Sequence, residues 1–383
     1  MTYRVPKVNT CFKAGLLCLI IKTIFSTSKL LPVTGIADDL LALAGCVLLF
    51  CSVFKKGCRP SAYCVYFVVL ALAAYTSYRM GNLRMLLIAA ICVASTRQNV
   101  HRIIRFMFFY ETLFLAFHVL LALATSVLGR YNFISVSGEM KYTFGFGHPN
   151  TFSCLLMNIL LMWSWMNYHR LRMQHILIQI LIVLFFYVFT GTRTILLSIF
   201  IFAALFVFVK KSRKDLHLLV RYLIPLAVVC HMVVIPLYIG HHPLAELVNK
   251  LLSNRIKLGG YWYAHKGLSA FGQNLMSFQA VWDDVWQMSG SLTFDNIYTC
   301  LAINFGMVWL AVLCVLFYRI SFLRDVKVNL FLVMWALYGV TEVHGVNPVM
   351  LFPLLLLTCD VRENPAKETA LVPDHAANTM KTI

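Results

Sequence analysis

Charge is scarce in this sequence, and negative charge is scarcest. Only 13% of its 383 residues are Asp, Glu, Lys or Arg, with 15 acids against 33 Lys and Arg. A water-soluble domain is about 25% charged and 45–50% apolar. Here 60% of residues are hydrophobic and the mean hydropathy is +0.78. A soluble fold of this length has too little interior to hide that much apolar surface. A soluble enzyme, a disordered chain and a small disulfide-stapled domain are therefore excluded. Metal and redox signatures are also missing. The 12 cysteines show no CxxC spacing and no histidine at metal-ligand distance. They lie mostly inside apolar runs, as Cys46, Cys64, Cys92, Cys154, Cys230 and Cys314 do, and read as small core hydrophobes. No small-x-small cleavage site follows the first apolar stretch, and further spans come after it. No internal repeat relates the two halves.

What is present is a series of long apolar runs, so the chain reads as an all-α polytopic membrane protein. At about 20 residues per crossing, its length allows roughly ten to thirteen spans. Twelve are expected, over 11–31, 36–54, 61–78, 83–95, 104–128, 149–167, 174–190, 194–209, 220–239, 297–317, 328–340 and 347–359. Lys13 and Lys22 interrupt the first, and the fourth and the last two are short. The organisation is spans one to nine in 1–239, a long loop with amphipathic helices in 240–296, spans ten to twelve in 297–359, and a polar tail in 360–383. Orientation follows from Lys and Arg. With the N-terminus inside, 22 of the 33 basic residues fall on inner segments, with 6 acids, a balance of +16 out of the total +18. Both termini are then inside, and the excess charge reports topology rather than nucleic-acid binding.

Three outer segments hold the candidate chemistry. In 240–296, Pro243 suits a first helical position. Leu244, Leu247, Val248, Leu251, Leu252 and Ile256 then recur at helical spacing, so one helix of three turns is expected to lie on the outer leaflet. Tyr261, Trp262, Tyr263, Phe271, Trp282 and Trp286 follow. They read either as an interfacial aromatic belt or as stacking platforms for sugar rings. Arg193 sits in the short turn Thr190-Gly191-Thr192-Arg193-Thr194. There it is either an arginine snorkelling to head groups or a guanidinium fork for phosphate. Arg255 is a second such fork or a solvated charge, and two converging arginines would suit a pyrophosphate. In Gly145-Phe146-Gly147-His148-Pro149-Asn150, two glycines permit a sharp turn, and His148 and Asn150 stand at a span entrance. Asp295, with Asn296 after it, is either a helix cap or an outward general base. Glu342 and His344 form another outer pair able to do the same work. Glu111, within span five, is expected to pair with Arg102 or Arg105.

Four of these stretches together resemble the superfamily of Wzy-type polysaccharide polymerases and O-antigen ligases. Phe144-Gly145-Phe146-Gly147-His148-Pro149-Asn150-Thr151 is similar to its "GFGHPN" turn. The 190–194 turn is similar to its small-small-Arg-Thr hairpin. Ser253-Asn254-Arg255-Ile256, with the aromatics and Phe271-Gly272 behind it, resembles the "GR…W…G.G" stretch of its long outer loop. Asp295-Asn296-Ile297-Tyr298, with Asn304-Phe305-Gly306, resembles its "[HD]N.Y…G" entry to a late span. Order, spacing and sidedness agree over roughly 140–310. Asn254 stands where Gly is usual, Phe271-Gly272-Gln273 lacks the second glycine, and Asp295 replaces the His of ligases.

The resemblance implies a GT-C-like, multi-pass glycosyltransferase of a bacterial cytoplasmic membrane. Its substrate would be polyprenyl-pyrophosphate-linked oligosaccharide, joined into a capsule, exopolysaccharide or O-antigen on the outer face. Asp295 or His148 would be catalytic. Arg193, Arg255, Asn150, Asn296, Tyr298, Trp262 and Glu342 would bind substrate. No metal or cofactor is implied. The bilayer, a flippase and a chain-length regulator are the expected partners. The alternatives are a ligase, which differs only in its acceptor, and a lipid-linked oligosaccharide flippase. A flippase predicts paired halves, which the 240–296 insertion breaks. The inner loops carry no DxD pair for a nucleotide sugar.

Overall fold

Apolar runs of 17 to 28 residues, punctuated by Gly, Pro and basic clusters, fold as helices because in a membrane every backbone polar group must be satisfied internally. The computed structural model describes residues 9–54, 60–96, 98–127, 132–136, 139–212, 214–252, 254–275, 280–283, 288–290 and 294–361. The helices are α1 Thr10–Ser26, α2 Ile36–Val53, α3 Pro60–Met80, α4 Arg84–Ser95, α5 Val100–Val127, α6 Pro149–Met166 and α7 Met173–Thr190. They continue as α8 Arg193–Ser212, α9 His217–Ile239, α10 Pro243–Leu251, α11 Arg255–Lys266, α12 Ile297–Cys300, α13 Met307–Ile320 and α14 Val326–Tyr338. Among the described residues there are also two antiparallel hairpins. One pairs β1 Phe133–Val136 with β2 Glu139–Tyr142, the other β3 Ala280–Asp283 with β4 Met288–Gly290.

Among the described residues, seven helices are long and apolar enough to cross a membrane: α2, α3, α5, α7, α8, α9 and the composite Ile297–Leu323. An 18-residue helix is about 27 Å long, close to the hydrocarbon thickness. These helices bury only part of their apolar surface. On α7, Leu177, Ile178, Leu181, Phe185 and Val188 all stay exposed. Such a belt suits lipid. The chain is thus an all-helical, multi-pass membrane protein, apart from its two hairpins. α6 and α14 differ from the seven. Nearly every residue of both is buried, so they form the centre that the others wrap.

Several sequence expectations need correction. The span expected over 347–359 is not an α-helix. It runs through turns into a 3₁₀ segment, Phe352–Leu357, because Pro348 and Pro353 deny backbone donors. α6 supplies what the backbone then lacks: Asn158 Nδ2 donates to Val349 O at 3.0 Å, and Asn158 Oδ1 accepts from Phe352 N at 2.8 Å. The same Nδ2 donates to Glu111 Oε2 at 2.8 Å, so Glu111 pairs with Asn158 and not with Arg102 or Arg105. As expected, the fourth and eleventh spans are short, helices of 12 and 13 residues, α4 and α14. The single amphipathic helix expected after Pro243 is two. Asn254 takes a left-handed conformation (φ 65°) and breaks it between α10 and α11. Asn249 tethers the break, donating to Asn254 Oδ1 at 3.0 Å and accepting from Lys257 N at 2.9 Å. On α10, Leu244, Leu247 and Leu251 face outward, while Ala245 and Asn249 pack inward. Ser253 and the tail from 362 lie outside the described residues.

The connections gather at two ends. At the basic end, Gln98 O accepts from Asp360 N, Asn329 Nδ2 donates to Asp215, and Arg221 Nε donates to Ser321 Oγ. At the opposite end, Gly147 N donates to Thr27 O, Arg255 reaches Thr194, and Asn150 reaches Glu342. Residues 267–273 also pass there, against the π-helical turn Leu301–Gly306. Gln273 N donates to Asn304 O at 3.1 Å, and Met307 N to Ser269 O at 2.7 Å. Gly306 (φ 107°) packs against the backbone of Ala270 and Gly272, where a Cβ has no room. This strap fixes the helix whose entrance carries Asp295.

Candidate functional site

The Gly-Phe-Gly turn delivers the first part of the site. Gly145 adopts φ 82°, and a Cβ there would run into Leu30. The turn swings His148 into extended backbone, where its Nδ1 accepts from Asn150 N at 3.1 Å and caps α6, with Pro149 at the first helical position. The cap decides the histidine's chemistry. With Nδ1 accepting from an amide, the neutral ring carries its proton on Nε2 and keeps no basic nitrogen free. Desolvation holds the His148 pKa below its ordinary value; Glu342 pulls it up, while His344 and Lys141 push it down.

Asn150 faces the other way. Its Nδ2 donates to Glu342 Oε2 at 3.3 Å. Glu342 follows α14 and is buried, so its carboxylate needs donors. Oε1 accepts from Val343 N at 3.1 Å and from His344 Nδ1 at 2.7 Å. Burial pushes the Glu342 pKa up, but the charge and hydrogen bond of His344, the Val343 amide and Arg255 together bring it below the ordinary value.

Arg255 is the first residue of α11. Nη1 donates to Leu252 O and Nη2 to Thr194 Oγ1, both at 3.1 Å, so the 190–194 hairpin and the long loop meet at this guanidinium. Its Nε is buried with no hydrogen-bond partner among the described residues. Gly191 closes α7 at φ 59°, and the stem of Lys141 lies over it, so β2 covers the same hairpin. Arg193 opens α8 one residue before Thr194, and its side chain is exposed.

Asp295 is half-buried between these elements. Burial raises its pKa above the ordinary value and the charge of Glu342 adds to that; Arg255 and His344 oppose them. Asp295 is not the cap. Asn296 is, accepting from Tyr298 N and Thr299 N at 2.8 and 3.0 Å.

The structure therefore brings His148, Asn150, Thr194, Arg255, Asp295, Glu342 and His344 to one place, with Arg193 beside it. Three expected binding residues are used inside the fold instead. Asn296 Nδ2 donates to His231 Nε2 and Val340 O. Tyr298 is fully buried, and its hydroxyl donates to Ala336 O at 2.6 Å. Trp262 is 2% exposed with its ring stacked on Phe294 at 5.4 Å, which leaves no open face for a sugar. The side chains of Trp282 and Trp286 lie outside the described residues. Two contributors escaped the sequence reading. The charge of Arg84, at the start of α4, reaches His344, and that of Lys141 reaches His148. Neither stands in a motif, and only the folded chain brings them near.

Among the described residues no group of three His, Cys, Asp or Glu is placed to hold a metal ion. No family model, curated protein or solved structure matches this chain. The functional reading therefore rests on the geometry and on the motifs above.

Proposed function

We propose that this protein polymerises polyprenyl-pyrophosphate-linked oligosaccharide repeat units into a surface polysaccharide on the outer face of a bacterial cytoplasmic membrane. The observation that carries the reading is convergence. Segments far apart in sequence, around residues 148, 194, 255, 295 and 342, meet at the end of the bundle opposite the basic connections. They are the stretches that resemble the polymerase and ligase superfamily, joined by Glu342 and His344.

In this reading the basic end faces the cytoplasm. The chain crosses twelve times with both termini inside, in a GT-C-like arrangement. Its short and 3₁₀ segments complete the count within the bundle. The donor is a glycan on a lipid pyrophosphate, and its tail lies along the apolar helix faces. Arg255, oriented by Thr194 and the Leu252 carbonyl, neutralises charge that builds on the leaving pyrophosphate, and exposed Arg193 meets its outer phosphate. No metal is required for that role. The acceptor is a sugar hydroxyl on the next lipid-linked unit. A flippase delivers the units and a chain-length regulator acts on the product.

Glycan length in a deletion strain tests the reading. Single lipid-linked repeat units at the outer face support it. Long unattached chains identify a ligase instead, and units trapped on the inner face identify a flippase.

A further inference from the structure

We infer that His344, held by the buried carboxylate of Glu342, takes the proton from the acceptor hydroxyl, in place of Asp295 or His148. The inference rests on the glycosyl-transfer reading above and assigns its proton.

The pair has the geometry of an oriented base. A carboxylate only accepts hydrogen bonds. The 2.7 Å contact from His344 Nδ1 to Glu342 Oε1 therefore places a proton on Nδ1 and leaves the Nε2 lone pair available. Nε2 makes no hydrogen bond to the described residues, and the His344 side chain is 29% exposed while that of Glu342 is 3% exposed. The carboxylate is fixed on both oxygens, by the Val343 amide and by Asn150 from α6. The ring is fixed too. His344 opens a 3₁₀ turn in which Asn347 N donates to His344 O at 3.1 Å, and Gly345 packs that turn against Ile297 of α12. A buried acid that sets the tautomer and orientation of an imidazole is a recurring arrangement for proton abstraction.

The rivals are worse placed. His148 spends Nδ1 on the cap of α6. Asp295 has no hydrogen bond to a described residue that would aim it. Three groups act on His344 by charge or hydrogen bond. Glu342 and Asp295 favour the imidazolium, while Arg84 from α4 opposes it. His148, ahead of α6, feels the His344 charge in turn. Burial opposes protonation as the largest single influence, yet the balance stands above the ordinary histidine value.

The step balances within the site. The acceptor O–H bond breaks and its proton passes to His344 Nε2. The oxygen bonds to the donor's anomeric carbon, and the bond from that carbon to the pyrophosphate oxygen breaks. The lipid pyrophosphate leaves with the electron pair, beside Arg255. His344 then returns the proton to water. In these terms His344 is the catalytic base and Glu342 a positioning residue.

The test uses full-length protein in proteoliposomes, supplied with lipid-linked repeat units extracted from the deletion strain. Chain extension is followed across pH for wild type, His344→Gln, Glu342→Gln and Asp295→Asn. Loss of a general base costs about 10²–10⁴-fold, so His344→Gln is expected to fall in that range and Asp295→Asn no more than about tenfold. Glu342→Gln removes the negative neighbour, so the acidic limb of its pH–rate profile moves to lower pH. Imidazole added to His344→Ala is expected to restore part of the rate, which a purely structural role would not allow. Retention of near-normal rate by His344→Gln, an unmoved limb in Glu342→Gln, or absence of imidazole rescue overturns the inference. The two levels separate cleanly: if wild type itself extends no chain, the polymerase reading fails, whereas an active wild type with an active His344→Gln removes only the base assignment.

Discussion

Asn296 caps the helix that Asp295 would otherwise cap. The Asn296 oxygen accepts from Tyr298 N and Thr299 N, and its amide spans to His231 and Val340. The carboxylate one residue earlier is thereby left beside Arg255 and Glu342. Asn296→Ala is expected to lower stability by about 0.5–2 kcal/mol for the cap alone, and by more because buried His231 loses its donor. Asp295→Asn is expected to leave the melting temperature in detergent near wild type. Unchanged melting in Asn296→Ala would assign the cap wrongly.

His148 serves α6 in the same way, so its replacement is expected to read as a stability defect. His148→Gln should destabilise by about 1 kcal/mol and extend chains at a rate within a few fold of wild type. His148→Asn, which supplies a capping oxygen, should recover the loss. Thermal unfolding and chain extension measured on the same samples separate the two effects. A 10²-fold loss of rate in His148→Gln without loss of stability would return the histidine to catalysis.

Much of this was legible in the sequence. The apolar runs give the helical membrane class, and Pro149 and Pro243 mark helix starts where the structure has them. The site was legible as segments, because Arg255, Asp295 and Glu342 stand next to turn signals at helix ends. Their mutual contacts were not, since sequence spacing says nothing about Thr194 meeting Arg255 across 61 positions. Trp262, Asn296 and Tyr298 misled for a common reason. A residue that anchors a motif reads the same whether it touches substrate or packs the site from behind, and burial alone tells these apart. Residues 347–359 misled because hydropathy reports burial, and a buried 3₁₀ strand of chain is as apolar as a helix.

Arg255→Lys keeps the charge and loses the fork. Two charge-assisted hydrogen bonds, to Thr194 and Leu252, cannot both be held by an ammonium in the same geometry. At about 1.5–3 kcal/mol for a hydrogen bond to a charged group, chain extension is expected to drop roughly 10- to 150-fold. Thr194→Val should give a smaller loss in the same direction. If the exposed Arg193 guanidinium clamps a phosphate as proposed, Arg193→Lys is expected to weaken donor use by roughly tenfold. Polymer yield, normalised to protein in the membrane, decides each. Wild-type yield from Arg255→Lys would remove the fork from the site.

The Glu342–His344 pair sets a pH window for stability. The His344 pKa lies above its ordinary 6.5 in the folded protein, so its contribution is complete below 6.5 and is lost as pH rises through the raised value. The Glu342 pKa lies below its ordinary 4.5, so its contribution is complete above 4.5 and is lost as pH falls through the lowered value. The two overlap between pH 4.5 and 6.5. The difference in melting temperature between wild type and Glu342→Gln is expected to be largest in that window and to shrink on both sides. A difference independent of pH would mean the pair is not ionic.

The returning segment 347–357 depends on one side chain of α6. Asn158 satisfies Val349 O, Phe352 N and Glu111 at once, all in the buried centre. Asn158→Leu leaves three buried polar groups without that partner, each costing about 1–3 kcal/mol. Against a total of about 5–15 kcal/mol, that is enough to keep most of the protein from accumulating folded. Glu111→Gln is expected to be mild, because Glu111 Oε1 already has no hydrogen-bond partner among the described residues and the amide keeps an oxygen for Asn158. The double change Asn158→Leu with Glu111→Leu should recover part of the loss, since it removes one stranded group together with its partner. Val349 O and Phe352 N would still be stranded, so recovery stays incomplete. Fluorescence-detected size exclusion of heated detergent extracts measures all three variants. If Asn158→Leu melts with wild type, the segment is held by apolar packing against α6 and α14, and the asparagine is incidental to it.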